Sequence, residues 1–185
     1  MPSYSRIATR LRVPLGFLFA AAYFWFAHPD WIAIAVGSGF IVVGLGIRAM
    51  ASGHIRKNAQ LATTGPYAYT RNPLYLGSLM MAAGFIIAAR NVWIGLAACA
   101  LFFAIYLPVI FAEEKYLRSA FPEYEQYAAH VPRLFPRPTS YRTITDGGLP
   151  QFSRELYWRH REYNSILGSL FMLSALILKL LLFKR

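Results

Sequence analysis

The chain has 185 residues, 57% of them hydrophobic. Only 15% are charged, where a soluble domain carries about 25%. That excludes an ordinary water-soluble domain and intrinsic disorder, which needs low hydrophobicity. The charges are lopsided, 19 Lys+Arg against 8 Asp+Glu for a net +11, and with so much apolar sequence they point to a membrane protein with a positive face rather than a nucleic-acid binder.

A spanning helix needs about 20 mostly apolar residues. The first candidate, Val13 to Ala27, follows Arg6, Arg10 and Arg12 and ends at His28-Pro29-Asp30. It reads as a span rather than a signal peptide, because no small-x-small cleavage site follows and a second span comes at once. That second span, Trp31 to Met50, carries Gly37, Gly39, Gly44 and Gly46, which suit close helix approach in lipid. A polar stretch from Leu61 to Gly77 comes next. Gly65-Pro66 marks a turn, Asn72 suits a helix N-cap, and Pro73 suits the first helical position. Free N–H groups at such a start favour anions, and Arg71 adds a fixed charge, so a carboxylate or phosphate could dock here. The plainer reading is a capped helix start whose tyrosines, Tyr67, Tyr69 and Tyr75, form an aromatic belt.

The third span runs from Pro73 to Ala89 and the fourth from Val92 to Ala112. Only Arg90-Asn91 separates them, so the two form an antiparallel hairpin. Glu113 and Glu114 end the fourth span, where a carboxylate without a partner would be costly. Glu114 and Arg118 sit at i,i+4, which gives Glu114 a surface role and leaves Glu113 as the stronger ligand candidate. A solvated acidic pair is the alternative. The polar segment from Glu113 to Asn164 includes an interfacial basic run, Trp158 to Tyr163, suited to anionic headgroups. The stretch from Thr139 to Leu149 reads only as loop. The fifth span is Ile166 to Phe183. The expected fold is all-α: a polytopic membrane protein of about five transmembrane helices, with a helical hairpin and a cytoplasmic helical segment.

The positive-inside rule orients these spans. Basic residues cluster before the first span, between the second and third, and after the fourth, which predicts a cytoplasmic N-terminus. Five spans leave Lys179, Lys184 and Arg185 on the opposite side as a local exception. Every acid but Asp30 falls on the cytoplasmic side, so any polar chemistry belongs there. The chain offers no metal-ligand spacing among His28, His54, His130 and His160, and no glycine-rich nucleotide loop. The lone cysteine, Cys99, sits in an apolar run and excludes an intrachain disulfide.

Gly65-Pro66-Tyr67, Arg71-Asn72-Pro73, Tyr75 and Gly77 precede the hairpin; Glu113-Glu114, Leu117, Phe121, Tyr124, Tyr127 and Val131-Pro132 follow it. Together these motifs resemble the isoprenylcysteine carboxyl methyltransferases and the related phospholipid methyltransferases, over about residues 53 to 136. The resemblance implies one integral membrane domain over residues 1–185, with a cofactor-binding core at about 53–136 and a C-terminal segment and last helix at 137–185. It implies S-adenosyl-L-methionine as cofactor, lined by Ala59, Gln60, Leu61, Ala62, Tyr67, Arg71, Asn72, Pro73, Leu74, Tyr75 and Glu113. Arg71 and the Asn72 helix start would take its carboxylate, and Glu113 its ammonium or ribose. Tyr67 and Tyr75 would pack its adenine or sulfonium. Glu113 and Arg71 are the candidate catalytic residues. The implied acceptor is lipid-like or prenylcysteine-like and meets the cofactor at the cytoplasmic face of a bacterial inner membrane. The expected partners are membrane lipids and an amphiphilic acceptor, without nucleic acid, an obligate protein partner or a metal.

Asn72 stands where the family has histidine, Pro122 where it has glycine, and Val109 where the eukaryotic carboxyl methyltransferases place a substrate-contacting arginine. An amine headgroup is therefore as plausible an acceptor as a carboxylate. Two alternatives remain. An NADPH-dependent membrane reductase of the sterol reductase type shares part of the first motif, but carries a cysteine that Glu113-Glu114-Lys115-Tyr116 lacks. The other is a non-catalytic membrane protein with a degenerate site.

Overall fold

The computed structural model describes residues 4–56, 59–141 and 152–183, with side chains from residue 14 onward. The basic side chains Arg6, Arg10, Arg12, Lys57, Arg142, Lys184 and Arg185, and most of the 139–149 loop, lie outside the described residues. All regular elements among the described residues are helical: α1 (Tyr4–Phe26), α2 (Trp31–Ser52), a 3-10 turn (Gly65–Ala68), α3 (Pro73–Ala89), α4 (Val92–Leu101), a π turn (Phe102–Tyr106), α5 (Leu107–Ala120), α6 (Tyr124–His130), α7 (Arg154–Arg159) and α8 (Tyr163–Phe183). Three helices are long and apolar enough to cross a membrane: Trp31–Ser52, Val92–Ala120 and Tyr163–Phe183. Pro14–Phe26 and Pro73–Ala89 are shorter apolar helices. Large apolar side chains such as Phe17, Trp25, Ile32, Trp93, Phe103 and Phe171 are exposed. A water-soluble protein does not expose that much apolar surface.

The fourth apolar stretch does not stop at Ala112; it continues to Ala120. Pro108 has no N–H to give the carbonyl four residues back. The helix widens just before it, with the Leu107 N–H reaching Phe102 O. Phe102 and Tyr106 stack across this π turn at 5.9 Å.

The chain divides into two compact units. The first holds Met1–Ile41, Ala82–Tyr116 and Ser169–Arg185. Its core joins Tyr23, Ala27, Ile34, Ala88, Ala89, Ile94, Leu176 and Leu180. At one end of this unit two loops lock together. Arg90, at φ 50°, makes the two-residue hairpin possible and pairs with Asp30. Asn91 caps α4 by accepting from Trp93 N, and its amide donates to Phe26 O at 2.8 Å. Lys179 donates to Phe24 O, Trp25 O and Ala27 O at 2.6, 2.9 and 2.8 Å. A helix leaves its last carbonyls without intrahelical donors. In lipid no water can take that place. Lys179 and Asn91 supply the donors that the end of α1 lacks.

The second unit holds Val42–Met81 and Leu117–Gly168. Its core is Tyr124, Tyr127 and Val131, with Leu61, Leu117, Phe121 and Tyr141 packed on it. In each unit α2 meets α3 through paired glycines, as the sequence suggested. A Cβ on Gly37 would overlap Gly84 O in the first unit, and one on Gly44 would overlap Gly77 O in the second. Gly39 and Gly46 face open space.

Candidate functional site

The first motif folds as its turn residues dictate. Gly65 takes φ +58°, a conformation natural to glycine, and a Cβ there would strike the His54 ring. The 3-10 turn follows, with Pro66 near its start and the Tyr67 N–H on Thr64 O at 3.1 Å. Asn72 then immediately precedes α3, and its carbonyl accepts from Leu76 N at 3.0 Å.

Residues 68–72 lie along residues 132–141, joined mainly by backbone groups. Arg71 N donates to Pro132 O at 2.9 Å, Arg137 N to Tyr69 O at 3.0 Å, and Tyr141 N to Ala68 O at 2.9 Å. Buried Thr70 donates from Oγ1 to Leu134 O at 3.0 Å. Asn72 donates from Nδ2 to Arg133 O at 2.9 Å. The side-chain amide of Asn72 is thereby held by the carbonyl just past Val131-Pro132. Val131-Pro132 is the hinge that brings these carbonyls to the first motif: Val131 is buried and Pro132 O accepts from Arg71.

Aromatics surround this junction. Tyr127 is buried and donates from its hydroxyl to Tyr67 O at 2.7 Å. Burial pushes its hydroxyl well above the usual phenol range, Tyr67 and Tyr124 add to the effect, and Arg71 works against it. Arg71 Nη1 donates to the Tyr124 hydroxyl at 3.3 Å, and the Arg118 guanidinium lies 5.7 Å from the same ring's centroid. Of the residues read as cofactor-lining, Tyr67, Asn72 and Pro73 are buried, Leu61, Ala62, Arg71, Leu74 and Tyr75 are half-buried, and Ala59 and Gln60 are exposed. All of them fall within the second unit, and Glu113 does not.

Glu113 and Glu114 lie in the first unit, and their burial runs opposite to the sequence expectation. Glu114 is 5% exposed, while Glu113 is exposed. The expected Glu114–Arg118 surface pair does not form; Arg118 pairs with Glu125 at 2.5 Å. Glu114 is the carboxylate withdrawn from water, and Glu113 the one on the surface.

Sequence reasoning also missed a half-buried charge pair. Arg48 lies just before the basic cluster between the second and third spans, and Glu162 is one of the acids on the same side. In the second unit they meet at 2.8 Å, with side chains 21% and 10% exposed. Residues so far apart in sequence left no spacing signal.

Long lipid-compatible helices carrying a short motif of arginine and tyrosines define an integral membrane protein with one built polar site. The chain belongs to the phospholipid methyltransferase family, which it matches over residues 32–124. That match takes in both motifs as far as Tyr124. The chain is 35% identical to the cobalt-zinc-cadmium resistance protein CzcN of Cupriavidus metallidurans over 134 residues, 67% of this chain and 62% of that protein. It is 34% identical to the nickel-cobalt-cadmium resistance protein NccN of Alcaligenes xylosoxydans xylosoxydans, over 63% of this chain and 59% of that protein. The matches thus span about six tenths of these relatives' lengths. No solved structure matches significantly.

Proposed function

We propose that the protein is an S-adenosylmethionine-dependent methyltransferase that methylates a lipid-like or prenylcysteine-like acceptor at the cytoplasmic face of a bacterial inner membrane. The observation that carries this reading is the junction of the two motifs, which leaves the half-buried Arg71 guanidinium among tyrosines. The donor set fits the cofactor's chemistry. Arg71 suits a carboxylate, Tyr67 and Tyr75 suit an adenine or a sulfonium, and Leu61, Ala62, Pro73 and Leu74 supply apolar walls. Ala59 and Gln60 would close the exposed rim.

When bound, the cofactor supplies an activated methyl group on a sulfonium. The chain's own part is to orient it and keep water away. Arg71 would hold the carboxylate end in place. The tyrosines would stabilise positive charge without offering a competing nucleophile. Glu113, the candidate carboxylate of the second motif, would meet an ammonium or accept the proton of an amine acceptor. Val109 stands where a substrate-contacting arginine would serve, so an amine headgroup ranks with a carboxylate as acceptor.

The relatives' names refer to metal resistance. Among the described residues no group of three or more His, Cys, Asp and Glu could hold a metal ion. A methylated membrane lipid is a product through which such an enzyme could serve metal resistance without binding metal.

Calorimetry on the detergent-purified chain should show S-adenosylmethionine binding and no NADPH binding. Arg71→Ala and Glu113→Gln should each weaken that binding at least about tenfold, the scale of a charge-assisted contact. Transfer of labelled methyl to a membrane lipid extract, read by product mass, separates an N-methyl product from an ester. Absence of cofactor binding at millimolar concentration would overturn the reading.

A further inference from the structure

The half-buried Arg48–Glu162 pair joins α2, α3 and the turn before α8 within the second unit. Arg48 donates to Glu162 through Nε at 3.0 Å and through Nη2 at 2.8 and 2.9 Å. Its remaining nitrogen, Nη1, donates to Ser78 Oγ at 2.6 Å and reaches Leu74 O at 3.4 Å. Ser78 Oγ in turn donates to Leu74 O at 3.0 Å. Ser165 Oγ lies on the far side of the carboxylate, 3.4 Å from Glu162 Oε2. The arginine therefore has its carboxylate on one side and the opening turn of α3 on the other.

The backbone makes room for this. A Cβ on Gly77 would lie 2.6 Å from Arg48 Cγ and 2.7 Å from Gly44 O. Gly77 closes the first motif, and its missing side chain is what lets the arginine stem pass over α3. Even a half-buried ion pair is a weak source of net stability, because desolvation offsets its attraction. A planar guanidinium held along two edges does hold geometry, since its N–H groups point in fixed directions. The geometry it holds is that of Leu74 and its neighbours Pro73 and Tyr75.

We propose that Arg48 and Glu162 are positioning residues that set the first turn of α3 to receive the cofactor. This rests on the methyltransferase reading, in which Leu74 and Tyr75 line the cofactor. Arg48 acts on that turn through Ser78 and Leu74 O, and Glu162 keeps the guanidinium in plane.

The test uses the full chain in detergent with three variants, Glu162→Gln, Arg48→Lys and Ser78→Ala. Arg90→Gln, which breaks the exposed Asp30 pair, serves as control. Hydrogen exchange over residues 73–78 should quicken in all three variants and stay unchanged in the control. Cofactor affinity should fall about tenfold in Glu162→Gln and Arg48→Lys, as expected when a positioning contact is lost. Ser78→Ala keeps the ion pair, so it reports on the relay even where the charge variants fold poorly. Unchanged exchange over 73–78 would overturn the proposal, as would an equal loss of affinity in the control. A wild-type chain that binds no S-adenosylmethionine would sink the methyltransferase reading and the cofactor half of this proposal, while the exchange data would still decide whether Arg48 and Glu162 fix the turn.

Discussion

Tyr127 shows how one side chain joins two distant motifs. Its hydroxyl is a donor to Tyr67 O, and ionisation would both bury a charge and destroy that bond. An unfolded tyrosine ionises near pH ~10, whereas the folded one resists, so its stabilising effect is full below ~10 and is lost as pH rises beyond it. Melting temperature measured from pH 8 to 11 should fall steeply above ~10 in the wild type. Tyr127→Phe should lower stability at neutral pH by about 1 kcal/mol and flatten the alkaline fall. An unchanged alkaline slope would remove Tyr127 as its source. At this scale the sequence was readable in part. Arg71, Asn72 and the tyrosines could be picked out, because turn and capping residues act locally. That Asn72 would give its amide to Arg133 O could not, because the acceptor is a backbone carbonyl 61 positions away.

Helix boundaries were legible where a local signal marks them. Asn72-Pro73 and Arg90-Asn91 gave both ends of α3 correctly, and a cap and a left-handed residue explain why. The start of α1 was missed because basic residues interrupt its apolar pattern without breaking its helix. The glycines of α2 allow a sharper test. Gly37→Ala and Gly44→Ala should each cost about 1–3 kcal/mol, because the new Cβ meets backbone that cannot yield. Gly39→Ala and Gly46→Ala should change stability by less than about 0.5 kcal/mol. Equal thermal shifts across the four variants would contradict the close approach of α2 and α3. The glutamates follow from the pitch of α5. Ile110 and Glu114 are four residues apart, so they share one face, and both are buried. Glu113 is turned about 100° from that face and is exposed. The periodicity that singles out Glu114 starts from Ile110, whose burial the sequence did not mark.

Taken as a whole, the chain's basic excess separates into groups with different work. Arg71 belongs to the candidate site, Arg48 to a half-buried pair, and Arg90 to an exposed one. The sequence set Arg71 apart but not Arg48 or Arg90, since composition records charge but not its partner. The membrane character and family were legible because they rest on long apolar runs and contiguous motifs. Lys179 was counted as a breach of the positive-inside pattern, yet its ammonium is directed at three carbonyls of α1. This has a chemical consequence. With its N–H groups all given to carbonyls, the Lys179 nitrogen is screened from a reagent until those bonds break. Acylating reagents applied to the folded protein should modify Lys115 at least about tenfold faster than Lys179, as read by peptide mass, and unfolding should erase the difference. The last helix thus carries a lysine that is chemically quiet while the first helix keeps its end.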